Sequence, residues 1–190
     1  MKVIVADKIS ERGVELLKET GWKIVQTTKE TLAGELADAD ALIVRSATKV
    51  TPELMDKAPK LRVVGAHLGS NEEDFQALAK RLDKYPNFSV DISARTARFF
   101  DGDLAMKRQF VEKYQDRLLY GSDHEGAGET DAQLAKAVLA QEDGQWNLFA
   151  SKDKITNRKK EIQGMGLPEP ILRKIFHSNA VRMFPGIAPA

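Results

Sequence analysis

The chain contains no cysteine, which removes disulfides, thiolate metal sites and cysteine nucleophiles together. It has only three histidines, His67, His124 and His177, so imidazole chemistry is confined to three positions. No stretch approaches the ~20 apolar residues of a membrane-spanning helix. The opening run, Met1 to Asp7, is too short for a signal peptide and ends in an acid. Neither sign of charge prevails: 29 basic residues against 28 acidic ones leave a formal charge of +1. No overall field therefore calls for nucleic acid or an anionic membrane. These absences predict a cytoplasmic protein with neither as partner. Three motifs are also missing, namely G-x-G-x-x-G, G-K-[ST] and H-x-H.

What is present is an alternation of short apolar runs and amphipathic segments over 190 residues. Val3 to Ala6 reads as a strand covered on both faces. Ser10 is placed to cap a helix carrying Val14, Leu16 and Leu17 inward, and Gly21 to end it. Trp22 to Thr27 and Ala41 to Ser46 read as further strands, with a short helix from Leu32 to Asp38 between them. Thr51 caps the next helix, with Pro52 in its first turn. Leu61 to Leu68 reads as a fourth strand. Ser70 and Glu73 then form a capping box before Phe75, Leu78, Ala79 and Leu82 at helical spacing. Phe88, Val90 and Ile92 alternate with Ser89, Asp91 and Ser93, which predicts a fifth strand with one polar face. A helix through Phe110, Val111 and Tyr114 leads to a sixth strand, Arg117 to Tyr120, ending at Gly121-Ser122-Asp123. Thr130 and Gln133 begin another helix, with Leu134 and Val138 on one face. Residues 141–166 read as a polar loop or irregular helix, and Ile171, Ile175 and Phe176 stripe a terminal helix. The fold class is α/β, a mostly parallel sheet of about six βα units with right-handed crossovers. Six units are too few for an eight-stranded barrel, so an open doubly wound sheet is expected.

Two stretches resemble different families. The strings KVIVADKISERGVELL and ALIVRSATKVTPELMDKAPKLRVVG, within residues 1–65, resemble the N-terminal substrate domain of D-3-phosphoglycerate dehydrogenase. That resemblance implies a flavodoxin-like half in which Arg45, Ser46 and Lys49 contact a small anion. An arginine fork beside a hydroxyl suits phosphate or carboxylate. The family's nucleotide-binding glycines are absent, so NAD binding and dehydrogenase activity are not expected. Residues 66–190 are similar to the C-terminal part of amidohydrolase-related enzymes, the metal-dependent TIM-barrel hydrolases and decarboxylases. The carrying strings are AHLGSNEEDFQALAKRLDKYPNFSVDISAR, KYQDRLLYGSD and KIFHSNAVRMFPG. The resemblance implies that His67 and Asp123 serve as catalytic residues and as ligands of a divalent metal, zinc or manganese. It places Arg95 against the substrate.

Each half is short of its partners. A catalytic zinc takes three protein ligands and an open position, whereas His67 and Asp123 supply two. His124 adds a third only if its strand has already ended, because neighbours in a strand point to opposite faces. Asp7, Arg45, His67, Ser93, Arg95 and Asp123 all approach the carboxyl edge if the strands are parallel, and that edge is where open α/β sheets bind ligands. The bland reading is that they are strand-end residues left from lost sites. His177 reads as structural, and the basic cluster from Lys152 to Lys160 as a solvated face. The expectation is a chimeric or truncated protein of amidohydrolase-related type without full catalytic activity. Two alternatives stay open: a residual metal-dependent hydrolase or decarboxylase, and a small-anion binding module. Apolar sheet edges left by missing strands allow a homodimer.

Overall fold

The computed structural model describes residues 1–44, 47–71, 73–93, 99–123, 131–157 and 160–184. Arg45, Ser46, Arg95, His124 and Thr130 lie outside these residues, and the side chains of Leu134 and Val138 outside the described side chains. The chain divides into two compact units, Met1–Val63 with Tyr85–Phe88, and Val64–Lys84 with Ser89–Ala190.

The first unit is built on a parallel sheet of β1 (Lys2–Val5), β2 (Lys23–Gln26) and β3 (Ala41–Ile43), in the order β2-β1-β3. All four residues of β1 are buried, as a central strand flanked by helices requires. Ser10 caps α1 (Glu11–Glu19) as expected, its hydroxyl accepting from the Gly13 amide at 3.1 Å. Gly21, at φ 74°, takes the chain out of that helix. The short helix α2 (Leu32–Glu35) buries Leu32, and α3 (Pro52–Asp56) starts at the Thr51 cap. Lys2 is almost fully buried, with its ammonium 2.5 Å from Asp38 and 2.8 Å from Glu35. Hydrogen bonds to Asp38 and then Glu35 hold that ammonium above the ordinary lysine value.

The second sheet has the order β4-β5-β6, from β4 (Val63–Gly65), β5 (Phe88–Asp91) and β6 (Leu118–Leu119). Strands β5 and β6 are parallel, with Val90 opposite Leu118 and Asp91 opposite Leu119. The elements around it are α4 (Ala66–Gly69), α5 (Phe75–Lys84), α6 (Leu104–Tyr114) and α7 (Asp131–Ala150). An antiparallel hairpin of β7 (Lys154–Asn157) and β8 (Lys160–Gln163) follows. The chain then enters α8 (Glu169–Arg173), a π-helical turn at Lys174–Ser178, and α9 (Asn179–Met183).

The α/β class and the parallel strands are as expected, but β1 to β6 lie in two three-stranded sheets rather than one six-stranded sheet, and β7 and β8 form a separate antiparallel pair. Four further readings are corrected. Strand β4 stops at Gly65, and the chain turns left-handed where Leu61 to Leu68 suggested continuous strand. Ser70 stands in that turn, so no capping box forms; Asp74 caps α5 instead, accepting from the Ala77 amide at 2.8 Å. Ser89 and Ser93 are buried, so β5 has no solvent face. The stretch read as a loop or irregular helix from residue 141 is regular helix α7 as far as Ala150, and the strands β7 and β8 follow it.

The second unit's core is aromatic. Phe99 and Phe149 are fully buried, with ring centroids 5.5 Å apart. Phe75 meets Phe99 edge-on at 5.4 Å, and Phe149 meets Phe100 at 5.0 Å. Such offset and edge contacts suit the ring quadrupole. Among the described residues no helix is long and apolar enough to cross a membrane.

Candidate functional site

Within the second unit, three chain segments converge on His67. The first is the turn after β4. His67, Leu68, Gly69 and Ser70 all have positive φ, at 55°, 58°, 61° and 57°. Left-handed backbone costs roughly 1–2 kcal/mol for each non-glycine residue, and three of these four are not glycine. Burial of Leu68, with 0% of its surface exposed, offsets part of this. So does a bond from the His67 amide to Asp91 Oδ1 at 3.0 Å. Strain of this kind persists only where surrounding structure fixes it.

The second segment is the end of β5. Asp91 Oδ1 accepts three hydrogen bonds, from the amides of His67 and Ser93 at 3.0 Å each and from the Ser93 hydroxyl at 2.5 Å. His67 Nδ1 lies 3.0 Å from that hydroxyl oxygen and 3.3 Å from the Ser93 carbonyl. The third segment follows β6. The Tyr120 amide donates to the Ile175 carbonyl at 2.8 Å, inside the π-helical turn, whose wider winding frees backbone groups from the usual ladder. That bond fixes the strand end just before Gly121-Ser122-Asp123. A methyl group added at Gly121 would lie 3.0 Å from Ser93 Cβ, so a larger residue there would push Ser93 aside by a few tenths of an ångström. Asp123 has φ 51°, a conformation that aspartate tolerates better than most residues.

The outcome is that His67 Nε2 faces Asp123 Oδ1 at 3.8 Å, with both side chains partly open to solvent. This exceeds a hydrogen bond and leaves room for one small species between the two atoms. A single water within ~2.8 Å of each fits that gap. The same two atoms are donors that zinc and manganese accept. Metal bonds of ~2.1 Å at tetrahedral angles would set them about 3.4 Å apart, a few tenths of an ångström closer than they are. The fit falls short in number, however. Among the described residues no group of three or more metal-ligating side chains occurs, and a catalytic zinc needs that third ligand.

The structure thus brings together His67 and Asp123 from the expected site, with Ser93 beside them. Arg45, Ser46, Arg95 and His124 fall outside the described residues. His177 is half-buried in the π-helical turn. Lys49 belongs to the first unit, where it lines a cavity of about 500 Å³ with Lys29, Lys57, Thr48 and Thr51. Asp7, read as a strand-end residue, holds that cavity's loop by accepting from the Thr48 amide at 3.1 Å and hydroxyl at 2.6 Å. The sequence reading missed Asp91, which it took for the polar face of a strand. Its signal was an aspartate two residues before a serine at a strand end, the pattern of an Asx turn.

A family model described as Amidohydrolase matches residues 5–186. The chain belongs to this family. The match covers nearly all of the segment that resembles the dehydrogenase, and curated relatives show that second likeness directly. D-3-phosphoglycerate dehydrogenase of Methanocaldococcus jannaschii is 40% identical over 84 residues, covering 43% of this chain and 16% of the relative. The human D-3-phosphoglycerate dehydrogenase is 38% identical over 84 residues, 42% of this chain and 16% of its own. That of Bacillus subtilis is 41% identical over 81 residues, 42% and 15% respectively. The chain therefore spans about a sixth of the length of these relatives, and its likeness is mixed, amidohydrolase and phosphoglycerate dehydrogenase together.

Proposed function

We propose that this amidohydrolase carries a reduced hydrolytic centre, in which His67 and Asp123 hold a water and move its protons without a complete metal site. The observation that carries the reading is the 3.8 Å separation of Nε2 and Oδ1, with His67 anchored from behind by Ser93 and Asp91. A water held there gives one proton to Nε2 as its oxygen attacks a carbonyl carbon and the carbonyl π pair moves to oxygen; Asp123 stabilises the imidazolium, which returns the proton to the leaving group as the tetrahedral adduct collapses to the acid. In complete relatives of this kind a divalent metal activates the water or polarises the carbonyl. With the two donors found among the described residues that contribution is weak, and full activity is not expected. Arg95 is the group proposed to hold an anionic substrate.

The mixed likeness supports a chimeric origin. On this reading residues 1–65 are the flavodoxin-like, dehydrogenase-derived half. Residues 66–190 are then the partial barrel. The test is hydrolysis of an activated ester such as p-nitrophenyl acetate. Positioned general bases contribute roughly 10²–10⁴-fold, so His67→Ala and Asp123→Asn should each lower the rate over background by at least tenfold. Equal rates for the wild type and both variants would sink the reading.

The first unit supports a second reading, a small-anion site. Its cavity presents three lysines, Lys29, Lys49 and Lys57, against one acid, Glu53, and two hydroxyls. Lys49 follows Arg45 and Ser46 closely in sequence, so the three can act on one phosphate or carboxylate. Phosphate should raise the melting temperature, and the rise should shrink in both Lys49→Ala and Arg45→Ala. An unchanged melting curve with phosphate rules this out.

A further inference from the structure

The structure assigns to Ser93 and Asp91 a positioning role: together they fix the His67 imidazole in the Nδ1–H tautomer and so turn the lone pair of Nε2 towards Asp123. The inference rests on the reading of His67 and Asp123 as the reacting pair, and it names what makes that pair competent.

The argument follows from which groups can only accept. The Ser93 carbonyl, 3.3 Å from Nδ1, has no proton to give. The Ser93 hydroxyl, 3.0 Å from Nδ1, has one proton and directs it at Asp91 Oδ1, 2.5 Å away. Towards His67 it therefore presents lone pairs. Two acceptors facing one ring nitrogen require that nitrogen to carry the hydrogen. In a neutral imidazole the other nitrogen is then the acceptor. Nε2 and Asp123 Oδ1, 3.8 Å apart, both offer lone pairs, and what settles between them must be a donor or a cation. That is the requirement for gripping a water by its hydrogens or for presenting two ligands to a metal. With the opposite tautomer Nε2–H would point at Asp123, and the base would be lost.

Asp91 does more than orient the serine. Its single oxygen also takes the amides of His67 and Ser93, so one carboxylate fixes the left-handed backbone, the hydroxyl rotor and, through that rotor, the ring. A histidine whose second nitrogen is held by a chain of acceptors loses little freedom when Nε2 meets its ligand.

The tautomer is read directly by nitrogen NMR of the full chain labelled with ¹⁵N-histidine, at about pH 9 where an imidazole is neutral. His67→Gln assigns the His67 signals among the three histidines. In the wild type, Nε2 of His67 should appear at the unprotonated position and Nδ1 at the protonated one. Ser93→Ala removes the closer acceptor and leaves the backbone carbonyl at 3.3 Å, so part of the hydrogen should shift to Nε2, and Ser93→Thr should restore the wild-type pattern. A wild-type spectrum with the hydrogen on Nε2, or a pattern unchanged in Ser93→Ala, overturns the assignment. The wild-type spectrum decides even if a variant folds poorly. Because neither ester nor metal is present, the result is separate from that of the hydrolysis assay. An inactive protein with Nδ1–H intact would sink the proposed function and leave this positioning role standing.

Discussion

Replacing Phe149 by alanine should destabilise the protein by about 3–5 kcal/mol, the range for emptying a fully buried aromatic site. The ring has no exposed surface and touches Phe99, Phe100 and Phe176, with centroids 5.5, 5.0 and 6.0 Å away. Its neighbours are themselves held by other elements: Phe99 by Phe75 of α5, and Phe176 by Tyr120 at 5.0 Å. They cannot close around the void without breaking those contacts, so the cavity persists and its cost adds to the lost transfer energy. Chemical denaturation at equilibrium reads the effect, and the melting temperature should fall by roughly 10 °C. Phe149→Leu, which keeps most of the volume, should cost clearly less. A loss below about 1 kcal/mol in Phe149→Ala would mean that the aromatic cluster is not the core of the second unit.

Asp91→Ala should be the most damaging single change near the candidate site. The substitution removes one oxygen that accepts from two backbone amides and one hydroxyl. Each donor left without an acceptor away from water costs roughly 1–3 kcal/mol. Partial exposure lets solvent recover some of this, so about 2–4 kcal/mol is expected in total. The left-handed turn at residues 67–70 should loosen with it, because the His67 amide bond is one of the contacts offsetting its strain. Amide hydrogen exchange should therefore rise first at Ser70 and Asn71, whose amides close that turn by bonding to the carbonyls of His67 and Leu68 at 3.0 and 3.2 Å. Asp91→Asn keeps an acceptor oxygen and should cost less. An Asp91→Ala protein as stable as a neutral surface variant, within about 0.5 kcal/mol, would show that the three bonds do not hold the turn.

Much of the architecture was legible because it rests on local rules. The apolar run of β1, the Ser10 and Thr51 caps and the stripe of α5 each follow from residues next to one another in sequence. What was not legible depends on the chain's tertiary surroundings. The stop of β4 at Gly65 is set by Asp91, 26 positions further on, which captures the amide of His67. No pattern of apolar residues around His67 announces that event. The alternation of Ser89, Asp91 and Ser93 marked a polar face but not its surroundings: Ser89 and Ser93 are buried and Asp91 half-buried, and Ser93 and Asp91 find partners in each other and in His67. The continuation of α7 to Ala150 was hidden by its polar composition, and its end is anchored by Phe149 and Leu148, both fully buried. The candidate site was legible at His67 and Asp123 through family resemblance, and their approach in space is a result of the fold. Asp91 was not legible, because its role is to hold other residues.

The central claim is the proposal that His67 and Asp123 form the donor pair of the hydrolytic centre, the two donors brought together among the described residues. Titration of the protein with zinc, followed by calorimetry, tests it most directly. The account predicts one weak site per chain, lost in both His67→Ala and Asp123→Asn and weakened about 10–100-fold in Ser93→Ala, as for loss of a residue that orients a ligand. Tight stoichiometric zinc binding, or binding that persists when Asp123 is replaced, would contradict it.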